Sequence, residues 1–349
     1  MQSIPLRLAL FAGFSILGRA ATFGTIVAPP GGAAWSDIVI DESRTRLYLV
    51  ASTVNRVDVY NYKTSTFLAP IPTGQQPVSA ALSPDNSTLY VTAYTDALLD
   101  IVNLTTNAVS TVSLATNPEG VAVGSDGRVL ITAVGTGAAT TNTLLIYDPS
   151  TKAVSQVPVV PPAATSPVLP TPPGRVYNSY RSRLATSRNG AYIIGVNNPT
   201  ATTRVVFVYE TASGTVLRSR TVANLSTVLA VAADGLKFMA GPVLFDSTTL
   251  QVMAQENTAN APFAFPSAAA PGTFNTQANQ GGSVFSPDGT VLYGAFNVAP
   301  IGAARPSIAE LLVNDPSNLL INLGIQMPEN LAGKMVINAA NVDSVPTIR

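Results

Sequence analysis

The chain has 349 residues, 46% hydrophobic and 11% charged, and its 19 Lys and Arg balance 19 Asp and Glu to a formal charge of zero. That length can bury a sizeable core, in one domain or two. The lack of any long Lys/Arg run argues against a nucleic-acid partner, whose binding rests on neutralised phosphates. Cysteine and histidine are both absent, which removes disulfides, thiolate nucleophiles, His-based triads, HExxH zinc sites and c-type haem attachment, and leaves acid–base or calcium chemistry to Asp and Glu.

In chain order, the first segment places Arg7 ahead of the apolar run Leu8–Leu17, followed by small residues at Gly18 and Ala20. This is the pattern of a secretory signal peptide covering residues 1–20. The run is too short for a membrane span of about 20 residues, so no stable membrane insertion is expected after cleavage. No cysteine follows that could carry a lipid anchor. The remainder, 21–349, reads as one domain.

Short β-prone runs then follow one another, separated by polar turns. The first group is Ser36–Ile40, Arg46–Ala51 and Val54–Tyr60, and the second is Val78–Leu82, Leu89–Ala93, Leu98–Leu104 and Val109–Leu114. A third comprises Gly120–Val123, Val129–Val134, Leu144–Asp148 and Val154–Val157. A stretch at about 158–180 interrupts the series, with seven prolines between Pro158 and Pro173. Proline locks its backbone angle and gives no N–H to a sheet, so this reads as a surface loop. Two more groups lie within Leu184–Val208 and Thr227–Val252, and a second insertion is expected at 254–281, before a sixth group that starts near Ser283.

A phrase recurs through these groups: a turn on Asp, Asn or Gly, then a tetrad opened by an apolar or aromatic residue. Ser83-Pro84-Asp85-Asn86 leads to Tyr90-Val91-Thr92-Ala93, and Ser286-Pro287-Asp288-Gly289 leads to Tyr293-Gly294-Ala295-Phe296. Tetrads start at 48, 90, 130, 192, 238 and 293, a spacing that suits four-stranded propeller blades of about 40–50 residues carrying insertions. The fold class is therefore all-β, a β-propeller. The expectation is seven blades, the last composite, with Lys334–Ala339 as one strand and part of Ala21–Val27 pairing with it to close the ring; six blades is the alternative.

At these tetrads, and at Pro77 and Pro118 ahead of the first strands of their groups, the chain resembles the YVTN-type β-propeller repeat family, related in architecture to lactonase-like seven-bladed propellers. The resemblance covers about 35–345 and implies an exported scaffold placed in the periplasm, the cell envelope or outside the cell. Lactonase-like relatives use channel residues that include His, which this chain lacks.

Candidate site residues lie in the loops that lead to the innermost strands: Gln76, Glu119 and Gln280, with Glu119 the one carboxylate able to bind calcium or polarise a sugar hydroxyl. Arg175, Tyr177 and Arg181, with Tyr180 and Arg183, form a compact Arg/Tyr cluster suited to an anionic or carbohydrate partner. The turn acids Asp85, Asp126, Asp234 and Asp288 read as backbone caps, and Tyr48, Tyr90, Tyr192 and Tyr293 as packing between blades. Trp35 is expected at the seam where the ring closes. The functional expectation is a noncatalytic, monomeric binding propeller for a protein or carbohydrate ligand, with no cofactor. The alternative is a histidine-free hydrolase or lyase that acts on a sugar- or lactone-like substrate through Glu119 and another channel carboxylate.

Overall fold

A computed structural model describes residues 26–134, 143–158, 182–197, 203–223, 225–256, 274–300, 308–327 and 334–338. The strands form six radial antiparallel sheets, each built from consecutive strands in sequence order. Blade one contains β1 (Trp35–Asp41), β2 (Arg46–Ala51), β3 (Arg56–Asn61) and two short pieces, β4 (Thr66–Phe67) and β5 (Ile71–Pro72), both paired with β3. Blade two contains β6 (Pro77–Leu82), β7 (Thr88–Ala93), β8 (Leu98–Asn103) and β9 (Val109–Ser113), and blade three β10 (Asn117–Val123), β11 (Val129–Val134), β12 (Thr143–Asp148) and β13 (Ala153–Val157). Blade four contains β14 (Arg183–Thr186), β15 (Tyr192–Asn197), β16 (Thr203–Glu210) and β17 (Thr215–Ala223). Blade five contains β18 (Leu229–Val231), β19 (Lys237–Ala240), β20 (Val243–Asp246) and β21 (Val252–Gln255). Blade six contains β22 (Phe274–Phe285), β23 (Leu292–Pro300), β24 (Ile308–Asn314) and β25 (Ile321–Met327). β21 and β22 both extend into the stretch expected as the second insertion.

The seven-bladed expectation is corrected to six. In place of a strand of a seventh blade, Lys334–Asn338 makes, among the described residues, isolated bridges at Met335 and Asn338, and it lies between two blades: Met335 packs on blade six and Val336 on blade one. Of the N-terminal stretch expected to pair with it, residues 21–25 lie outside the described residues. Ile26 and Val27 are not in a strand, though Val27 joins the same apolar cluster as Val336 and Trp35.

The tetrads fall on the second strand of every blade, where the leading aromatics seal blade joints. Tyr48 is buried among blades one and two, Tyr90 among blades two and three. Tyr192 packs against the cluster between blades four and five, and Tyr293 packs with Met335.

The hairpin that joins the first two strands of each blade repeats one device. Its last turn residue is left-handed: Thr45, Asn86, Gly127, Gly190, Gly235 and Gly289 have φ of 55–78°. Four of the six are glycine, the residue for which this conformation is least costly. In three blades a serine and an acid or amide two residues on lock the turn. Ser83 Oγ donates to Asp85, Ser187 Oγ to Asn189 and Ser286 Oγ to Asp288, while the Ser Oγ accepts the amide of the residue that re-enters the sheet. These bonds draw the Asp85 carboxyl down to about 2 and lower Asp288 as well. Asp126 and Asp234 likewise accept backbone amides, so all four acids cap turns.

Strand alternation puts the turns between strands three and four on this same face, and sends the connections between strands two and three and between successive blades to the opposite face, where the innermost strands begin. The turn face holds only short turns, such as 42–45 and 149–152, whereas connections 135–142, 158–182, 256–273 and 301–307 all leave the other face. Length variation is thereby confined to one side of the ring, the arrangement in which a rigid scaffold presents loops.

Candidate functional site

Four innermost strands carry a register shift near their start, between Trp35 and Asp37, Pro77 and Ser79, Pro118 and Val121, and Thr276 and Gly281. A bulge turns side chains away from the regular alternation, and here it brings polar groups into the interior at the start of the ring's inner strands. Asp37, Ser79 and Glu119 are each at most 3% exposed.

Asp37 is the best-connected of them. Ser79 Oγ (2.7 Å) and the Ala80 amide (3.0 Å) donate to Oδ2, and the Ile38 amide (2.8 Å) and Lys334 Nζ (3.0 Å) donate to Oδ1. Burial alone would push this carboxyl up. The charges of Lys334 and Arg183, with the Ser79 and Ala80 bonds, outweigh it and hold the group below the usual range. Arg183, on blade four, reaches the Ser36 carbonyl of blade one at 3.4 Å. In a six-membered ring those blades are opposite, so the guanidinium spans the centre.

Glu119 has a similar role further round the ring. Its Oε2 accepts the Ser182 amide of blade four at 2.6 Å, and its carbonyl accepts Thr92 Oγ1 of blade two at 2.8 Å. The expectation that Glu119 lies in a loop is therefore corrected: it is a buried residue of β10. Sequence reasoning missed Asp37 and Lys334. The available signal was an acid inside the apolar run Ser36-Asp37-Ile38-Val39-Ile40, where burial requires a donor partner.

Gln76 stands on the same face, in an exposed left-handed turn with φ of 56°. Its Oε1 accepts Thr95 Oγ1 at 3.0 Å and its carbonyl accepts the Tyr94 amide. Asn117 Nδ2 donates to the Tyr94 carbonyl at 2.7 Å, so Gln76 and the strand that bears Glu119 are linked through Tyr94. Gln280 lies in the shifted segment of β22, and its side chain is outside what is described. Arg175, Tyr177 and Arg181 lie outside the described residues, within a connection that leaves this face.

The loop before β6 is fixed by three side chains in succession. Asp100 Oδ2 accepts the Gly74 amide (2.8 Å), Asp96 Oδ2 the Gln75 amide (2.7 Å) and Asn55 Oδ1 the Gln76 amide (2.9 Å). Asp100 is fully buried and its Oδ1 has no hydrogen-bond partner. Burial pushes its carboxyl up, against the Gly74 bond and reinforced by Asp96. A carboxyl whose folded pKa is raised costs stability above that pKa, and the cost is relieved as pH falls. Asp100→Asn keeps the Gly74 bond and is expected to stabilise the chain by up to about 1 kcal/mol at pH 7, with the gain vanishing in melts near pH 3. A loss of stability at pH 7 would contradict this.

Among the described residues no group of three or more acidic side chains comes together as a metal site would require, and no helix is long and apolar enough to cross a membrane. No protein-family model matches the chain, and no curated protein does. Among solved structures, the hydrazine synthase of Kuenenia stuttgartiensis is similar, with a TM-score of 0.60 over 91% of this chain and 96% of that one. At 14% identity the likeness is one of fold.

Proposed function

We propose that this chain is an exported, noncatalytic propeller of the YVTN-repeat type that binds a carbohydrate or protein partner on the face where its long connections emerge. The observation that carries this reading is the asymmetry of the ring: every long connection leaves the face where the inner strands begin, and the other face holds only short turns. The YVTN-type membership is supported by the six tetrads, each of which lies on a second strand. Export rests on the signal-like residues 1–20. Gln76, Glu119, Gln280, Arg175, Tyr177 and Arg181 all belong to connections or strand starts of the binding face.

The buried acids argue for scaffold over chemistry. A general acid must hold a proton near neutral pH, and Asp37 is held in its charged form by four donors. Glu119 is engaged with the neighbouring blade.

The test is binding of the purified chain to an immobilised panel of neutral and acidic oligosaccharides. Replacing 135–142 by Asn-Gly should weaken the binding at least about tenfold, while an equal-length Gly/Ser insertion at 149–152 on the turn face should leave it unchanged. Equal loss in both variants would reject the face assignment. Turnover of lactones or glycosides that Glu119→Gln abolishes would place the hydrolase or lyase reading first.

A further inference from the structure

Two arginines of β17 reach into the joint between blades four and five. Arg218 and Arg220 lie opposite Val208 and Val206 of β16, and residues paired across an antiparallel ladder share one face of the sheet. Val206 and Val208 pack with Phe238, Phe245 and Leu250 of blade five, so the two guanidinium groups face that blade as well. There they meet the turn between β20 and β21. Arg218 Nη1 donates to the Ser247 carbonyl at 2.7 Å, and Arg220 Nη1 to the Leu250 carbonyl at 2.6 Å.

The turn that receives them is held by bonds of its own. The Ser247 amide donates to the Leu236 carbonyl and the Leu250 amide to the Asp246 carbonyl. The Asp246 carboxylate accepts the Thr248 hydroxyl and the Thr248 and Thr249 amides. Those bonds, the Thr248 hydroxyl foremost, hold its carboxyl below the ordinary range. Neither arginine forms an ion pair with it: among the described residues the ion pairs belong to Arg44, Arg56, Arg128 and Lys334.

Arg220 is nevertheless only 4% exposed. Burying a guanidinium is offset only where an opposite charge and bonds to its remaining N–H groups are supplied. Among the described residues Arg220 Nε has no hydrogen-bond partner, and neither has Oγ of Ser247, which is 3% exposed in the turn that both arginines touch. Two buried, unused donors with a second guanidinium beside them make the donor set that an oxyanion accepts, since the planar fork of arginine matches two of its oxygens. Arg218 is partly exposed, and Thr248 and Thr249 are exposed beside it, which gives an approach from the turn face.

We propose that Arg218, Arg220 and Ser247 form a site for one tetrahedral oxyanion, phosphate or sulfate, in the joint between blades four and five. The site lies on the turn face, away from the long connections. A bound anion supplies the counter-charge for Arg220 and ties β17 to the turn between β20 and β21, so its binding tightens this joint.

The test is isothermal titration of the full chain with sodium phosphate and, separately, sodium sulfate, at an ionic strength fixed with sodium chloride. One ion per chain should bind. Arg218→Met, chosen because that side chain is partly exposed and the fold survives its loss, should weaken binding at least about tenfold, and Ser247→Ala at least about threefold. In native-state hydrogen exchange, saturating anion should slow peptides 215–223 and 243–252 at least about fivefold and leave 88–93 unchanged. Titrations without saturable binding, or with binding that both variants leave intact, would overturn the proposal. So would slowing spread evenly over all six blades, which is the mark of ions excluded from the whole surface.

Discussion

Asp37→Ala is expected to lower stability by roughly 3–4 kcal/mol at pH 7, because it leaves the buried Ser79 hydroxyl and Ala80 amide without acceptors and removes the counter-charge of Lys334. For a chain of this size that is a fall in Tm on the order of 4–6 °C. Most of the loss belongs to the two buried donors. Lys334 is 32% exposed in its side chain and can be rehydrated. The pH dependence follows from the direction of the shift. The folded-state carboxyl lies below its unfolded value, so its contribution is complete above the ordinary Asp pKa of about 3.9 and is lost as pH falls through the folded value. Asp85, Asp148, Asp246, Asp288 and Asp315 are shifted the same way by their turn hydrogen bonds. The Tm of the unaltered chain should thus fall steeply below about pH 4, and the gap to Asp37→Ala should narrow there. A gap that stays constant from pH 7 to pH 3 would show that the carboxylate is not what stabilises the inner ring.

The second large effect concerns Gly195, the last residue of the blade-four tetrad. It lies opposite Phe207 on β16, and a Cβ there would overlap the Phe207 ring, which is 2% exposed and packed into the joint with blade three. Gly195→Ala should cost about 1–3 kcal/mol through overpacking. Phe207→Leu alone should cost about 1 kcal/mol, but in the double variant the two losses should not add, since the smaller side chain makes room for the new methyl. Additive losses in thermal melts would show that the clash is not the cause.

These two positions show what was legible in the sequence and what was not. The tetrad that ends in Gly195 was visible, and so were most strands, because strand and turn information is local: alternation, Ser-x-Asp turns and left-handed Asn or Gly. What decides the number of blades is not local. Lys334-Met335-Val336-Ile337-Asn338-Ala339 reads as a strand by composition, yet Val336 packs on Ile38 of blade one and Met335 on Ala295 of blade six, and no pattern within six residues encodes those distant partners. The site divides likewise. Glu119 stood out as a carboxylate beside a proline, but its burial depends on Ser182, 63 residues on. Asp37 gave no sign that its partners were Ser79 and Lys334, the latter 297 residues away.

The six-membered ring can be measured directly, because the chain lacks cysteine and accepts spin-label pairs without background. Ser43, Pro84, Ser125, Arg188, Ala233 and Pro287 occupy equivalent places in the first hairpin turn of blades one to six, and none is buried. Double electron–electron resonance between labels at these positions should give three equal longest distances, for blades one and four, two and five, and three and six. The Pro287–Ser43 pair should match the other neighbouring pairs. A Pro287–Ser43 distance as long as that between second neighbours, such as Ser43 and Ser125, would reveal a slot the width of a blade and contradict the six-bladed ring.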